Sequence, residues 1–183
     1  MPDPFAMLEL DHRHVEALFE QLGDSEAGPE RDRLVTDLEE SLVAHMTFEE
    51  RAIYPLVVEQ LGAESAQEAQ TEHRLAREGL ANVRELVAER GFGAAVESLK
   101  GGITHHVEEE EGEMFPKLRS GTDSDAQQRL AAEFIAAKRA AGLPVVPPEA
   151  TKEQLVEMAR DLDIDGRSTM DRDQLIVAVT QTT

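Results

Sequence analysis

The sequence predicts an all-α protein: an antiparallel up-down four-helix bundle, a fifth helix, and a small C-terminal helix-loop-helix module. The first observation is composition, since 40% of the 183 residues are hydrophobic but only 4% are aromatic, a mixture that favours helices over sheets. The second is that apolar residues recur with helical spacing, as in Leu8, Val15, Leu18 and Leu22. The third is that glycine and proline divide the chain into helix-length runs.

Local signals predict where each helix begins and ends. Asp3 and Pro4 form a typical N-cap followed by a proline at the first helical position. Thr122 and Asp125 resemble a capping box for the fifth helix. The predicted helical runs are 4–23, 29–62, 65–91, 92–121 and 122–141.

The chain is predicted to consist of three parts. Residues 1–141 form the bundle with its trailing helix, and residues 142–149 form a proline-rich linker that cannot continue a helix. Residues 150–183 form a helical module that opens with a capping box at Thr151 and Gln154. Its two short helices are expected at about 152–162 and 171–181.

Charge disfavours two classes of partner, and composition excludes some chemistry. The formal net charge of −20 repels phosphate backbones and anionic lipid headgroups. The absence of cysteine excludes disulfides, thiolate metal sites and cysteine nucleophiles. No apolar stretch approaches the roughly 20 residues that span a bilayer. We therefore expect a cytoplasmic protein without a membrane partner; the sequence does not indicate its oligomeric state.

An internal repeat is the strongest signal in the chain. When the sequence is shifted by 61 residues, its polar motifs fall on one another. The matching segments are Asp11-His12-Arg13 with Glu72-His73-Arg74, His45-x-x-x-Glu49-Glu50 with His106-x-x-x-Glu110-Glu111, and Tyr54-Pro55 with Phe115-Pro116. Such a repeat predicts two helix hairpins related by a pseudo-twofold axis.

The spacing of these residues suits a metal site. Residues four apart on a helix point the same way, so His45 and Glu49 can hold one metal ion, as can His106 with Glu110. A carboxylate can also bridge two metals. Four imidazoles and two carboxylates without a thiolate favour a pair of iron ions, with manganese and zinc as alternatives. The predicted ligands are His12, His45, Glu49, His73, His106 and Glu110.

Over about residues 3–140, these motifs resemble the hemerythrin-like HHE cation-binding family. The resemblance implies a non-haem di-iron centre with an oxo or hydroxo bridge and carboxylate bridges. It also implies reactivity towards dioxygen or related small molecules. The chain departs from true oxygen carriers, which have a fifth histidine and an aspartate among their ligands. Simple reversible oxygen carriage is therefore not the expectation.

Other residues near the motifs are interpreted differently. His14 lies on nearly the opposite helix face from His12 and is expected at the surface or beside the ligands. His105 is the alternative to His106 if the register slips by one residue. Glu108, Glu109 and Glu111 are predicted to form a solvated helix face. The expected core residues near the centre are Phe48, Ile53, Tyr54, Met114 and Phe115.

The C-terminal module carries two motif-like patterns. Asp161, Asp163, Asp165 and Gly166 imitate half of a calcium loop, but Arg172 stands where the bidentate glutamate belongs, so calcium binding is rejected. The segment from residue 151 resembles the N-terminal module of the Rho termination factor and SAP domains, which often contact nucleic acid. Residues 149–183 carry four basic and eight acidic side chains, a net of −4. Nucleic-acid contact through this module is accordingly a weak hypothesis.

The sequence leaves three functions open. The centre binds or senses dioxygen or another small oxidant, or it turns over peroxide or nitric oxide as an oxidoreductase, or the bundle handles iron or senses metal. Binding or sensing is the leading hypothesis, because no proton-relay pair or substrate pocket is evident in the sequence. No catalytic residue is assigned.

Overall fold

A computed structural model describes residues 2–180, and its regular structure is entirely helical. The prediction of an all-α protein is therefore confirmed. No helix in this range is long and apolar enough to cross a membrane. The helices are α1 (Pro4–Asp24), α2 (Pro29–Phe48), α3 (Tyr54–Gln60), α4 (Ala63–Glu85), α5 (Phe92–Glu109), α6 (Phe115–Gly121), α7 (Ser124–Ala140), α8 (Lys152–Asp161) and α9 (Arg172–Thr180). Residue 181, predicted to end the last helix, lies outside the described residues.

Most helix starts follow their sequence signals. The Asp3 carboxylate accepts hydrogen bonds from the backbone of Phe5 and Ala6, and both halves of the capping box before α8 are present. The predicted capping box at Thr122 was wrong. Asp123 caps α7, and the Thr122 hydroxyl accepts a hydrogen bond from the Gln60 amide instead.

The third predicted run also ends early. Helix α4 stops at Glu85, and the six residues that follow form turns up to Gly91. In this segment the Val87 carbonyl accepts a hydrogen bond from the Arg31 guanidinium. Leu86 and Val87 also pack against the core. These tertiary contacts satisfy the backbone where helical bonds would have done so.

Two π-helical turns interrupt the long helices next to the repeated motifs. They span Glu49–Ile53 and Glu110–Met114, and they join α2 to α3 and α5 to α6. Each is followed by a proline in the first turn of the next helix. Since a proline ring clashes with the carbonyl four residues earlier in an α-helix, the wider π-turn accommodates it. Both turns begin at a predicted carboxylate ligand.

The four long helices contact one another in a ring. Helix α1 packs against α2 and α5, and α4 packs against the same two helices. Two apolar clusters fill the interior: the distal cluster, which contains Val15, Leu42, Ala76 and Ile103, and the proximal cluster, which contains Leu8, Phe48, Ala69 and Met114. Along the sequence, each predicted histidine ligand lies between a residue of the distal cluster and a residue of the proximal cluster.

The C-terminal segment packs on the rest of the chain. Helix α7 contacts α1 and α2, and α9 contacts α1. A third apolar cluster forms around α8 and α9 and includes Val146 from the predicted linker. Leu143 and Val146 are both buried, and the Arg172 guanidinium donates to the carbonyls of Pro148 and Ala150. The proline-rich segment is thus packed rather than solvated.

Candidate metal centre

The structure brings all six predicted ligands together between the two apolar clusters. Each is at most 5% exposed. The histidines meet in two pairs through their Nε2 atoms, which are 3.1 Å apart in His12 and His45 and also 3.1 Å apart in His73 and His106. Each pair comes from one repeat unit.

The two glutamates connect the histidine pairs. A single oxygen of Glu49 lies 3.1 Å from the Nε2 of His45 and 3.4 Å from that of His73. The two oxygens of Glu110 each lie 3.5 Å from a histidine Nε2, one in His12 and the other in His106. Each carboxylate therefore reaches a histidine of both pairs.

The unsatisfied atoms of this cluster fit bound cations. All four carboxylate oxygens of Glu49 and Glu110 are buried and lack a hydrogen-bond partner within residues 2–180. An unpartnered buried polar group costs about 1–3 kcal/mol, and more when charged. Two overlapping groups of potential ligand atoms lie within 4.8 Å of one another: His12, His45, Glu49 and Glu110; and Glu49, His73 and His106. Metal ions between these atoms would remove the cost.

A second layer of carboxylates orients the four imidazoles. The outward-facing Nδ1 atoms of three histidines donate hydrogen bonds to carboxylates, and the fourth, on His45, lies 3.6 Å from Asp11. The three bonds join His12 to Glu111 (2.7 Å), His73 to Glu50 (3.1 Å) and His106 to Glu72 (2.8 Å). Such pairs fix the tautomer and leave Nε2 free for a metal.

The prediction that Glu111 belongs to a solvated helix face is wrong, because Glu111 reaches across to His12 on α1. Sequence reasoning missed the role of all four outer carboxylates. The repeat nevertheless contained the signal, since a shift of 61 residues superposes Asp11 on Glu72 and Glu50 on Glu111.

Electrostatics hold the metal-free centre in a charged state. Burial opposes protonation of His45, but Glu49 and Asp11 outweigh it and raise the pKa of His45 to about 10. Burial likewise opposes protonation of His106, yet Glu110 and Glu72 raise its pKa to about 9. The pKa of Glu49 lies well below its ordinary value, because His45 and His73 outweigh its burial. Protons on the imidazoles thus balance the carboxylates.

The centre is asymmetric at one pair of repeat positions. The Tyr54 hydroxyl lies 2.8 Å from the Nε2 of His73, within hydrogen-bonding distance. Its counterpart Phe115 instead stacks on His12, with ring centroids 5.9 Å apart. Burial, with the negative charges of Glu49 and Glu110, raises the pKa of Tyr54, so the hydroxyl keeps its proton. Both residues are buried as predicted, but Tyr54 also adds a polar group to the centre.

The two remaining histidines lie outside the centre. His14 is 3% exposed, which excludes the predicted surface position, and it hydrogen-bonds the Thr180 hydroxyl of α9 at 2.8 Å. His105 is exposed and faces Glu72 and Glu109. The structure therefore places His106, not His105, among the clustered side chains.

A small cavity adjoins the four histidines. Its volume is about 20 Å³, slightly more than the roughly 10–15 Å³ that one water molecule requires. All other lining residues are apolar: Val15, Leu42, Met46, Ile103 and Val107. A ligand of about one or two non-hydrogen atoms fits there; a larger substrate does not.

The helical fold and the buried His/Glu clusters define a metal-binding helical protein. The hemerythrin HHE cation-binding domain matches residues 3–118, and the chain belongs to this family. A DNA nickase from Nostoc sp. (strain PCC 7120 / SAG 25.82 / UTEX 2576) is 27% identical over 133 residues, which are 72% of this chain. The aligned part is 38% of that protein's length. No solved structure is significantly similar to the chain.

Proposed function

We propose that the six clustered side chains hold two iron ions, and that this centre binds or senses dioxygen or a related small oxidant. The observation that carries the proposal is the set of four unpartnered carboxylate oxygens on Glu49 and Glu110, aimed at histidines of both pairs. Imidazole and carboxylate donors without thiolate suit non-haem iron.

The proposal includes the arrangement of the four long helices as an antiparallel up-down bundle. Support comes from the order in which each helix passes the two apolar clusters. Helices α1 and α4 run from the proximal to the distal cluster, whereas α2 and α5 run the other way. In this arrangement the two repeat units supply equivalent halves of the centre.

Each group of residues has a distinct role in the proposal. His12 and His45 would hold one iron, and His73 and His106 the other, with Glu49 and Glu110 within reach of both pairs. Bound iron would supply redox chemistry and a place for a small ligand. The four outer carboxylates hold the imidazoles in place. The apolar cavity beside the histidines excludes water and limits the ligand to a few atoms.

A second candidate function is an oxidoreductase that acts on peroxide or nitric oxide. Tyr54 favours this candidate, because its hydroxyl carries a proton within 2.8 Å of His73. Reduction of peroxide builds negative charge on oxygen, and a buried hydroxyl in the centre is placed to donate a hydrogen bond to it. The third alternative, iron handling or metal sensing, requires metal binding without redox turnover.

We do not extend the relative's DNA-nicking activity to this chain. The chain spans only 38% of that protein, and its formal net charge of −20 opposes contact with phosphates. Nucleic-acid binding through residues 150–183, their likeness to the Rho and SAP modules, and their status as a separate domain stay predictions.

The ligand assignment is tested by metal analysis of purified variants. His73→Ala and Glu110→Ala each remove a ligand, so both should lower the iron bound per chain. His14→Gln is the matched control, because it alters a buried histidine outside the centre and keeps a polar atom near Thr180. Unchanged iron in the first two variants would refute the assignment.

The reaction is tested by adding ferrous iron anaerobically, followed by oxygen and then peroxide. Optical spectra that change reversibly with oxygen support binding or sensing. Rapid oxygen evolution from peroxide supports the oxidoreductase. Metal-dependent stabilisation without either response supports iron handling.

A further inference from the structure

A cleft on one side of the molecule reaches two of the proposed ligands. It has a volume of about 250 Å³ and lies between α4, α5 and the second π-turn. His106 and Glu110, two of the proposed ligands, line it. The Glu110 side chain is fully buried, and neither of its oxygens has a hydrogen-bond partner within residues 2–180. The cleft thus ends beside a buried carboxylate whose oxygens are unsatisfied.

The internal repeat shows how the opposite side is closed. Three glutamates that line the cleft have apolar counterparts in the other repeat unit: Glu68 with Met7, Glu109 with Phe48, and Glu113 with Ala52. Met7 and Phe48 are buried in the proximal cluster. Phe134 of α7 packs edge-on against Phe48, with ring centroids 4.9 Å apart. The two sides of the centre have diverged into an apolar closed side and an acidic open one.

The residues at the mouth of the cleft favour a cation. Besides the three glutamates, Glu72 lines the cleft, and the single ammonium among the lining residues, on Lys117, is paired with Glu113 at 3.0 Å. His105 lies beside the mouth, with its Nε2 atom 3.4 Å from a Glu109 oxygen and 3.7 Å from a Glu72 oxygen. One imidazole with two carboxylates is a donor set that first-row divalent metals accept.

Glu72 connects this outer group to the centre. Its Oε1 atom faces His105, while its Oε2 atom accepts a hydrogen bond from the Nδ1 of His106 at 2.8 Å. The Nε2 atom of the same imidazole faces Glu110 inside the centre. Atoms that can bind a metal therefore form a continuous series from the protein surface to the buried ligands.

We propose that this cleft is the entry route for divalent metal ions, and that Glu72, His105 and Glu109 hold an arriving ion before it passes to His106 and Glu110. The inference rests on the proposed metal-binding function of the centre. It adds to that function a direction of loading and an outer site that uses none of the six ligands.

The test is the rate at which metal-free protein takes up cobalt(II), followed by its visible absorption in a stopped-flow instrument. The cleft variant carries Glu68→Gln, Glu109→Gln and Glu113→Gln. The control variant carries the same change at Glu20, Glu89 and Glu97, which are exposed and lie about two or more helical turns from the nearest ligand. Both variants lose three negative charges from a chain of net charge −20.

At low ionic strength the cleft variant should load about tenfold more slowly than the control variant, because a focused negative field raises the local cation concentration. The difference should shrink in 1 M salt, where the screening length is about 3 Å. Both variants should reach the same final cobalt content. His105→Asn, a single exposed change, provides an independent test and should slow loading without lowering the final content.

Equal loading rates for the cleft and control variants at low ionic strength overturn the entry route. If the unmodified chain binds no cobalt and no iron, the proposed function fails instead. The two failures are therefore distinguishable in one set of measurements.

Discussion

Removing Lys138 tests how the fifth helix supports the centre. Lys138 of α7 is only 4% exposed, and its Nζ atom lies 2.7 Å from one oxygen of Asp11. The other Asp11 oxygen has no hydrogen-bond partner within residues 2–180 and faces the Nδ1 atom of His45 at 3.6 Å. The substitution Lys138→Met keeps the length of the side chain but leaves Asp11 without its ammonium.

The size of the effect follows from the Asp11 carboxylate. Burial raises its pKa, but Lys138 and His45 outweigh burial and lower the pKa from 3.8 to about 2. A folded-state pKa below the unfolded one gives stability that is complete above pH 3.8 and is lost as the pH falls towards 2. The difference corresponds to about 2 kcal/mol at neutral pH. Breaking a buried pair costs about 3–5 kcal/mol, so we expect a loss of about 3 kcal/mol.

The assay is urea unfolding of the metal-free protein at pH 7, followed by circular dichroism. The double variant Asp11→Asn with Lys138→Met removes both charges and should recover to within about 1 kcal/mol of the unmodified chain. A loss below about 0.5 kcal/mol for Lys138→Met, the range of an ordinary surface change, would refute the reasoning.

Three further predictions concern other parts of the chain. Tyr54→Phe should keep the metal content but slow any reaction with peroxide in stopped-flow absorption; an unchanged rate argues against Tyr54 as a hydrogen-bond donor to peroxide. Burial lowers the pKa of His14 from 6.5 to about 4, so about 3 kcal/mol of stability should be lost as the pH falls across this interval. Urea unfolding at pH 7 and 4.5 should show most of this loss as the difference between the unmodified chain and His14→Gln. Gly79→Ala places a Cβ 2.9 Å from the Leu99 Cδ1; an overpacking cost of about 1–3 kcal/mol, less about 1 kcal/mol of helix propensity, should leave a net loss of up to about 2 kcal/mol on unfolding, whereas a gain would mean that the Leu99 methyl moves aside.

The helices and the clustering of the six ligand candidates could be predicted from the sequence because both depend on local periodicity. Caps such as Asp3 act within one turn, and positions four apart share a helix face. The repeat then added the information that His12 and His73 are equivalent, and the structure indeed brings both to the same place.

The outer carboxylates could not be predicted from helix phase alone. Glu50 and Glu111 each follow a ligand directly, so on an isolated helix they point about 100° away from it. Their partners His73 and His12 lie on other helices, and only the packing of the bundle brings them within reach. Contacts of this kind depend on tertiary structure.

Tyr54 and His14 illustrate two further limits. The π-turn before Tyr54 changes the helical phase by one residue, and a pattern with a regular period of 3.6 residues does not predict that change. His14 is buried because α9 returns to cover α1 from 166 positions further along the chain. The sequence near His14 carries no sign of that contact.

The raised pKa values of His45 and His106 have a consequence for how firmly the protein retains its metal. An imidazole must lose its proton before Nε2 can coordinate, so loading the centre expels protons into solution. With pKa values of about 10 and 9, at least two protons are released when metal binds at neutral pH. Each released proton makes the metal affinity fall about tenfold per unit fall in pH, and the two together make it fall about a hundredfold. Metal binding at this centre is therefore coupled to the release of protons.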